Sequence, residues 1–571
     1  MNKIYRINMR SKEIKEDMFD SSMLLGNRGL TAKIVSEEVN PTCDPLGSGN
    51  KLVLATGILA GSGVTTTGRL SFGGKSPLTN TIKESNVGGS AGAEMAKHGI
   101  KMFVIEDQPE TDTWYILRID ENSNVSLEEG TDYQGFNSYK TTEMLKEKYG
   151  SKSSICVIGK AGERKLLSAS IQVTDNSTGH PARAAGRGGL GALMGSKGLK
   201  AIVLEKAKSR NKLEIVDKDK FNEGKKSIIN FIKESPITGV GLALLGTMAY
   251  VDVTAESNII PVNNFSGKMI NDEQKEKICA NAFADRAKMH GGRSGVACQP
   301  GCIIRCSNIV NNEQGEMITS GLEYETAALF GPNCGIYDYD FLVEADRICD
   351  EFGVDTIDVA NAVAVTMDAG ELEWGDKEAV LDLLKEMIEG SSELGVAIGN
   401  GTAATGELLK HNRVPVCKNQ GLAAYDPRNL QGMGVQYASC TQGADHTGGH
   451  PMTVEGVDHT NPEGQVDLMK NIQVPTALCD NLMCLFAFTA LATPEALEAI
   501  AKSIEGALGI ECDVDRLMQI GVETIKMERE FNEKAGFRPE DDVLPEFFYK
   551  EKNASGNVFG VKKEELAAMW K

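Results

Sequence analysis

No uninterrupted apolar run in this sequence approaches the roughly 18 to 20 residues of a membrane span. Its start, MNKIYRINMRSKEIKEDMF, alternates charged and apolar residues and lacks the apolar core of a secretory signal, so a cytoplasmic protein is expected. Positive charge is also in deficit. A net charge of -20 argues against nucleic acid or an anionic membrane as partner, because both require a basic face. The 13 cysteines are odd in number and widely spread, unlike a disulfide scaffold, which leaves reduced thiols and metal ligation. No GxGxxG follows a strand with an acid about 20 residues on, so a nicotinamide site of the Rossmann type is not expected. Internal repeats and low-complexity tracts are not evident. Histidine is scarce, at 7, so each one can be weighed singly.

What is present fits a small-molecule enzyme. A length of 571 residues suggests about three domains. The 41% hydrophobic and 25% charged content is that of an ordinary globular chain. Up to about Lys206, β-rich runs (KIYRINM, KLVLATG, GRLSFGG, KMFVIED, TWYILRI, SSICVIG, ERKLLSASIQV, LKAIVLE) alternate with glycine turns, which predicts a β-dominated first domain over 1–206. The charged segment EKAKSRNKLEIVDKDK closes it. Beyond Phe221 the apolar residues recur at helical spacing, predicting a mainly α-helical domain over 207–415 and another over 416–571, the break falling near HNRVPVCKNQG. The fold class is therefore α+β.

Chemistry converges on the stretch from Cys298 to Glu325. Cys298, Cys302 and Cys306 recur at a spacing of four on a Gly/Pro-containing loop, and Cys484 lies far downstream as a candidate fourth ligand. Such thiolates can hold an iron-sulfur cluster or a structural zinc ion, and a bland alternative is a set of buried core thiols. Glu323 and Glu325 flank Tyr324 and suggest proton handling beside an electron carrier; on an extended segment they point to opposite faces. In the first domain the glycine loops LAGSGVTTTG, SNVGGSAG and AAGRGGLGALMGSKG carry Arg69, Asn86, Arg183 and Arg187, a setting for phosphate groups of an organic cofactor.

The blocks GRLSFGGKSPLTNTIKESNVGGSAGAEM, AAGRGGLGALMGSKGLKAI, GLEYET, CDEFGVDT and AYDPRNLQGMG, in this order, resemble those of the aldehyde ferredoxin oxidoreductase family, the tungsten or molybdenum bis-pyranopterin enzymes. The resemblance spans nearly the whole chain. It implies a β-sheet cofactor domain followed by two helical domains. It places the pterins and their phosphates against Arg69, Asn86, Gly88, Arg183, Ala184, Gly186 and Arg187, with Mg2+ on the main-chain carbonyls of Asn86 and Ala184. Asp350, Gly353 and Asp355 match the family's DxxGxD, which similarly reaches pterin nitrogens, and Leu485 falls at a second pterin contact.

The same resemblance implies a 4Fe-4S cluster on Cys298, Cys302, Cys306 and Cys484, although the family's CxxCxxxC has one extra residue here. The segment resembling the family's DSxGLC here reads CDNLMC, without its glycine and with the acid shifted to Asp480. Glu325 matches the acid near the metal and His446 the histidine facing the substrate carbonyl; His450 and His459 have no such match. Some family dimers hold an iron between subunits through an acid matching Glu344 and a histidine on a later helix, and KEAVLDLLKEMIEG has no histidine, so bridging iron is not expected and a homodimer stays open.

The implied activity is anaerobic oxidation of an aldehyde to a carboxylic acid by a tungsten enzyme, with Glu325 as base and His446 polarising the carbonyl. Electrons would leave through the cluster to ferredoxin or a small iron-sulfur subunit. Two alternatives stand beside it: a catalytic subunit of a multi-subunit redox complex with another substrate or acceptor, and a noncatalytic zinc-stabilised scaffold.

Overall fold

Alternating apolar residues in the first two hundred positions build two sheets that share one core. The computed structural model describes residues 3–209 and 213–571. Residues 1 and 2 of the charged start and residues 210–212 of the closing segment lie outside it. Strands β1 (Lys3–Asn8), β2 (Ile14–Met18), β3 (Leu52–Thr56), β4 (Leu70–Lys75), β5 (Ile82–Val87) and β6 (Ile100–Glu106) form one sheet in the order β2-β1-β6-β3-β4-β5. Strands β7 (Tyr115–Ile119), β8 (Val125–Glu129), β9 (Ser154–Val157), β10 (Ile171–Val173), β11 (Arg183–Ala185) and β12 (Leu199–Leu204) form the other, in the order β11-β10-β9-β12-β7-β8.

Side-chain alternation assigns the faces. In β3, Leu52 and Leu54 join the core between the sheets, while Val53 and Ala55 face helices on the far side. Phe103 and Ile105 of β6 point into the first core and Met102 and Val104 into the second. Both faces of these central strands are buried, which explains their continuous apolar runs.

The two sheets are an internal repeat. Reading the second order backwards, β7 to β12 replace β1 to β6 one for one. Each half has a single parallel pair, β1 with β6 and β7 with β12. A helix precedes β3 (Asn27–Glu38) and β9 (Ser138–Tyr149), and another precedes β6 (Ala91–Lys97) and β12 (Leu190–Ser196). At one constant offset Gly89, Gly92, Ala93, Met95, Gly99 and Lys101 recur as Gly188, Gly191, Ala192, Met194, Gly198 and Lys200. So few identities survive, half of these six being glycines, that the repeat is not legible in the sequence. Those glycines are structural: a Cβ on Gly92 would stand 2.5 Å from Gly68 O, and one on Gly191 2.4 Å from Ser170 O.

Two strand expectations need adjustment. ERKLLSASIQV is strand only over Ile171–Val173, its start belonging to the helical turn Lys160–Glu163. The part after Phe221 is mainly helical, as expected, but also holds a three-stranded sheet of β13 (Arg293–Val296), β14 (Ser307–Asn311) and β15 (Met317–Ser320) around the cysteine loop.

The run Pro236–Glu256 has mean hydropathy 1.4, long and apolar enough by composition to cross a membrane, which the search for an uninterrupted apolar run does not register. It is broken at Gly241 and Gly246 into four short helical pieces, Pro236–Gly241, Leu242–Leu245, Gly246–Met248 and Ala249–Glu256.

Candidate active site

The three-cysteine loop is bound directly to the first sheet. Gly89 N donates to Cys298 O at 3.0 Å, Thr65 Oγ1 to Gly301 O at 2.9 Å, and Ile303 N to Thr65 Oγ1 at 3.3 Å. Cys484 reaches the same place from the other end of the chain, its N–H donating to Thr66 O at 3.1 Å. All four thiols are buried and act on one another electrostatically. Burial pushes the Cys298 thiol up to about 12, against the pull of Arg183 and Arg69.

Among the described residues no three His, Cys, Asp or Glu side chains converge as a single-ion site. A zinc ion would draw four sulfurs to about 2.3 Å from one centre. Four thiols with no histidine among them suit the all-thiolate ligation of a four-iron cluster. Gly88 closes the wall of this chamber: a Cβ there would stand 3.2 Å from Cys298 Sγ and 3.4 Å from Arg69 Nη1.

Arg69 and Arg183 stand beside the thiols. Arg69 donates through Nε to Asn86 Oδ1 and through Nη2 to Asn86 O at 3.1 Å. Burial works against its charge, but the thiols of Cys484, Cys298 and Cys306 hold its pKa above the usual value. Arg183 Nε donates to Asp175 at 2.8 Å, and its Nη1 lies 3.7 Å from Glu323. Asn86 and Ala184 sit on β5 and β11, the terminal strands of the two sheets, which adjoin. Ala184 is exposed within this cleft, and a Cβ on Gly186 would find nothing nearer than 3.9 Å, so the edge has room for a ligand between the repeats.

Arg187, in the second glycine loop, is committed to protein partners. Its Nε donates to Asp355 at 3.2 Å, Nη1 to Ala444 O at 2.5 Å, and Nη2 to Gly421 O. It thereby joins the first sheet pair to both helical stretches.

The DxxGxD turn has a local explanation. Asp350 is in the last turn of the helix Tyr339–Phe352, Gly353 caps it with φ 82°, and Asp355 caps the next helix, Thr356–Asp368, by accepting from Ile357 N at 3.0 Å. A Cβ on Gly353 would meet Gly159 N at 2.9 Å. The turn is held against the second sheet by Ser170 N to Gly353 O and Asp355 N to Ser168 O, both 2.9 Å. Burial, with Asp346 nearby, raises the Asp350 carboxyl well above the ordinary range.

GLEYET is not an extended segment throughout. Glu323 is extended and precedes the helix Tyr324–Phe330, while Glu325 is in the first helical turn. The two carboxylates still diverge. Glu323 accepts from Thr247 Oγ1 at 2.6 Å and faces Arg183 and Cys306; Glu325 turns to the other side. There Ala424 N donates to Glu325 Oε2 at 2.8 Å, and Glu325 Oε1 lies 3.3 Å from His446 Nε2.

His446 opens a short 3-10 turn, His446–Gly448, capped by Asp445. Asp445 is anchored to β5 by Lys83, 2.6 Å away, and the pair is almost fully buried. Glu325 Oε1 and His446 Nδ1 are buried without a hydrogen-bond partner among the described residues. So is His450 Nε2, which the sequence reading leaves out. Met452 N approaches His450 Nδ1 at 3.4 Å, which leaves the proton on the unpartnered Nε2. Burial, with His446 and His459 adding to it, lowers the His450 pKa to about 3 and keeps the ring neutral. Tyr425 stacks edge-on against His450 at 4.6 Å and lies 5.9 Å from the His446 ring. Glu325 Oε1, the His446 ring and the neutral Nε2–H donor of His450 thus gather beside Tyr425. Of the 7 histidines, only the spacing HTGGH hints that His450 returns to the site.

The remaining candidates lie further out. Asp480 pairs with Arg28 at 3.1 Å, and burial raises its carboxyl to about 6. Leu485 opens the short helix Leu485–Phe488 directly after Cys484 and is half-buried. Glu344 is exposed and acts on Lys385 of the later helix.

Comparison with known proteins agrees with this layout. Residues 4–206 match the family model "Aldehyde ferredoxin oxidoreductase, N-terminal domain", and residues 223–571 match "Aldehyde ferredoxin oxidoreductase, domains 2 & 3". The tungsten-containing aldehyde ferredoxin oxidoreductase of Pyrococcus furiosus is 31% identical over 96% of this chain and 92% of its own. An aliphatic sulfonate oxidoreductase, WOR-like subunit, from the same organism is 26% identical over 80% of this chain and 76% of its own. Among solved structures, the active-site complex BamBC of benzoyl coenzyme A reductase superposes with TM-score 0.80 at 20% identity, covering 99% of this chain and 93% of that one, a likeness of fold. With both family models matched across nearly its full length, the chain belongs to the aldehyde ferredoxin oxidoreductase family of oxidoreductases.

Proposed function

We propose that this protein oxidises an aldehyde and water to a carboxylic acid, using a tungsten bis-pyranopterin, and passes the electrons through a 4Fe-4S cluster to a ferredoxin. The observation that carries the reading is the pair of buried Glu325 and half-buried His446, 3.3 Å apart, whose buried Oε1 and Nδ1 have no hydrogen-bond partner among the described residues. Glu323, two residues before Glu325, faces Arg183 of β11 at 3.7 Å, which links the pair to the cleft between the two repeats.

The fit to the cofactors is one of donor chemistry. Arg69, Asn86, Gly88, Arg183, Ala184 and Gly186 line an open cleft with amides and guanidinium groups, suited to phosphates. Asp350 and Asp355 would accept from pterin N–H groups, and carbonyl oxygens of Asn86 and Ala184 suit Mg2+, which prefers hard oxygen ligands. Leu485, beside Cys484, offers apolar surface at the second pterin. Cys298, Cys302, Cys306 and Cys484 would hold the cluster. When bound, the metallopterin supplies the two-electron oxidant and the cluster divides its electrons into single steps.

The protein's own steps follow from geometry. The Ala424 N–H fixes one oxygen of Glu325, so the other is oriented to take a proton from water attacking the carbonyl. His446 and the neutral His450 hydrogen-bond the carbonyl oxygen as negative charge develops there. Tyr425 and the buried loop of residues 422–426 keep bulk water out.

A second reading is that the chain is the catalytic subunit of a larger redox complex acting on another substrate. The 26% identity to a protein named as a WOR-like subunit favours it. A noncatalytic zinc scaffold has less support, since it would need neither Glu325 nor His446, which the chain places 3.3 Å apart.

Metal analysis of protein purified without oxygen tests the reading. About one tungsten or molybdenum and about four iron per chain are expected, with aldehyde-dependent reduction of a viologen dye by the chain alone. Zinc alone would overturn it, and copurifying flavin or iron-sulfur subunits would favour the second reading.

A further inference from the structure

Almost every arginine among the described residues is tied to an acid, a carbonyl or an amide. Arg293 and Arg305 are different: neither guanidinium makes a hydrogen bond or ion pair, and both line one surface cleft of about 410 Å³ with Ser177, Gly295 and Ala297. The cleft lies directly over the cysteine loop. Ala297 precedes Cys298, and the main-chain N–H of Arg305 reaches the Cys302 thiol. Arg305 has φ 58°, a left-handed conformation that residues other than glycine seldom adopt; its side chain is exposed while its amide points in.

Charge around this cleft opposes that of the whole protein. From Arg286 to Asn312 the chain has no Asp or Glu, although it carries 80 of them and a net charge of -20. An acidic partner repelled by the rest of the surface would find its complement only where such a basic patch stands. Apolar side chains stand exposed on the elements next to β13: the turn Leu242–Leu245 packs on it, with Ala243 O 3.1 Å from a Cβ on Gly295, and Leu244 there is 64% exposed, Val240 just before it 55%, and Met289, four residues before Arg293, 51%. A site for a small anion needs no such rim, whereas arginine and methionine beside exposed aliphatics are usual at protein interfaces.

We infer that the cleft of Arg293 and Arg305, with its rim of Val240, Leu244 and Met289, is the docking surface for a small acidic one-electron carrier protein. This rests on the proposed function, in which the thiols beneath hold the cluster. Oxidation of one aldehyde by one water releases two electrons and two protons. Two carrier molecules, docking in turn, take one electron each, and the protons pass to solvent.

The test reads binding apart from turnover. Anaerobically purified holoenzyme is passed over an immobilised acidic ferredoxin and eluted with chloride. The native protein is expected to be retained and to elute as ionic strength rises from about 0.01 to about 0.3 M, over which the Debye length falls from about 30 Å to below 10 Å. Arg293→Glu with Arg305→Asp should not be retained, and its apparent KM for ferredoxin should rise at least tenfold at low salt. Its rate with a viologen dye and its metal content should be unchanged. The milder Arg293→Gln with Arg305→Asn, which suits a left-handed residue, should fall between. Unchanged retention and KM in both variants would overturn the docking assignment. So would release of the native protein by inorganic phosphate at an ionic strength where chloride leaves it bound, which would make the cleft a small-anion site. Absent dye activity in the native protein would instead count against the proposed function.

Discussion

Glu325 Oε1 lies 3.3 Å from His446 Nε2, two side chains brought together from the start of one helix and from a loop more than a hundred residues later. The contact is close but unsatisfied, because Glu325 Oε1 has no hydrogen-bond partner among the described residues. A buried carboxylate oxygen without a donor carries a real desolvation cost, which a substrate water would relieve. Glu325→Gln keeps the size and the Ala424 contact but removes the base. A fall in kcat/KM with aldehydes of about 10²- to 10⁴-fold is expected, with tungsten and iron content intact. Activity near the native rate would remove Glu325 from its role.

The loop that carries His446 is positioned by a buried ion pair. Lys83 on β5 and Asp445 stand 2.6 Å apart, with side-chain exposures of 1% and 8%. Replacing one partner leaves a charge in a dry environment and costs about 3–5 kcal/mol. Asp445→Asn should therefore lower Tm by several degrees in a thermal scan and also reduce kcat. Retained Tm would mean that water reaches Lys83 more freely than its burial indicates.

The four cysteines come from two distant segments that meet on the Thr65 to Thr66 turn. Cys484→Ser replaces a thiolate by a poor iron ligand at that junction. Iron should fall from about four per chain to well under one, with loss of the visible iron-sulfur absorption. Gly88→Ala makes a gentler test: its Cβ would stand 3.2 Å from Cys298 Sγ, and partial loss of iron is expected. Full iron in Cys484→Ser would remove that residue from the ligand set.

Legibility in the sequence followed length scale. Strands such as β3 and β6 were readable because their apolar runs are unbroken, and helices such as Tyr339–Phe352 because their period persists over several turns. The repeat of two six-stranded sheets was hidden, since topology is retained while side chains diverge. Glu325 and His446 were found through the family resemblance rather than through any local pattern. His450 is not legible in the sequence, because its place in the site comes from packing against Tyr425, a contact no spacing encodes. The divergence of Glu323 and Glu325 was anticipated for the wrong reason: a helix start, not strand alternation, separates them.

Lys101, one member of the repeated lysine pair, is buried on β6 with its ammonium donating to Gly57 O at 2.8 Å and no acid beside it among the described residues. Its counterpart Lys200 has Glu163 as partner. Burial lowers the Lys101 pKa from 10.5 to about 7. Between those two values the unfolded chain binds a proton that the folded chain does not, so stability rises with pH across that window and falls as pH drops toward 7. Below pH 7 the folded protein carries the buried charge at the full cost, on the order of a few kcal/mol. Lys101→Met removes that cost along with one hydrogen bond worth about 1 kcal/mol. The variant should melt higher than the native protein at pH 6, and the gap should shrink and then reverse as pH approaches 10. A gap independent of pH would mean that Lys101 keeps its proton at its ordinary strength in the folded state.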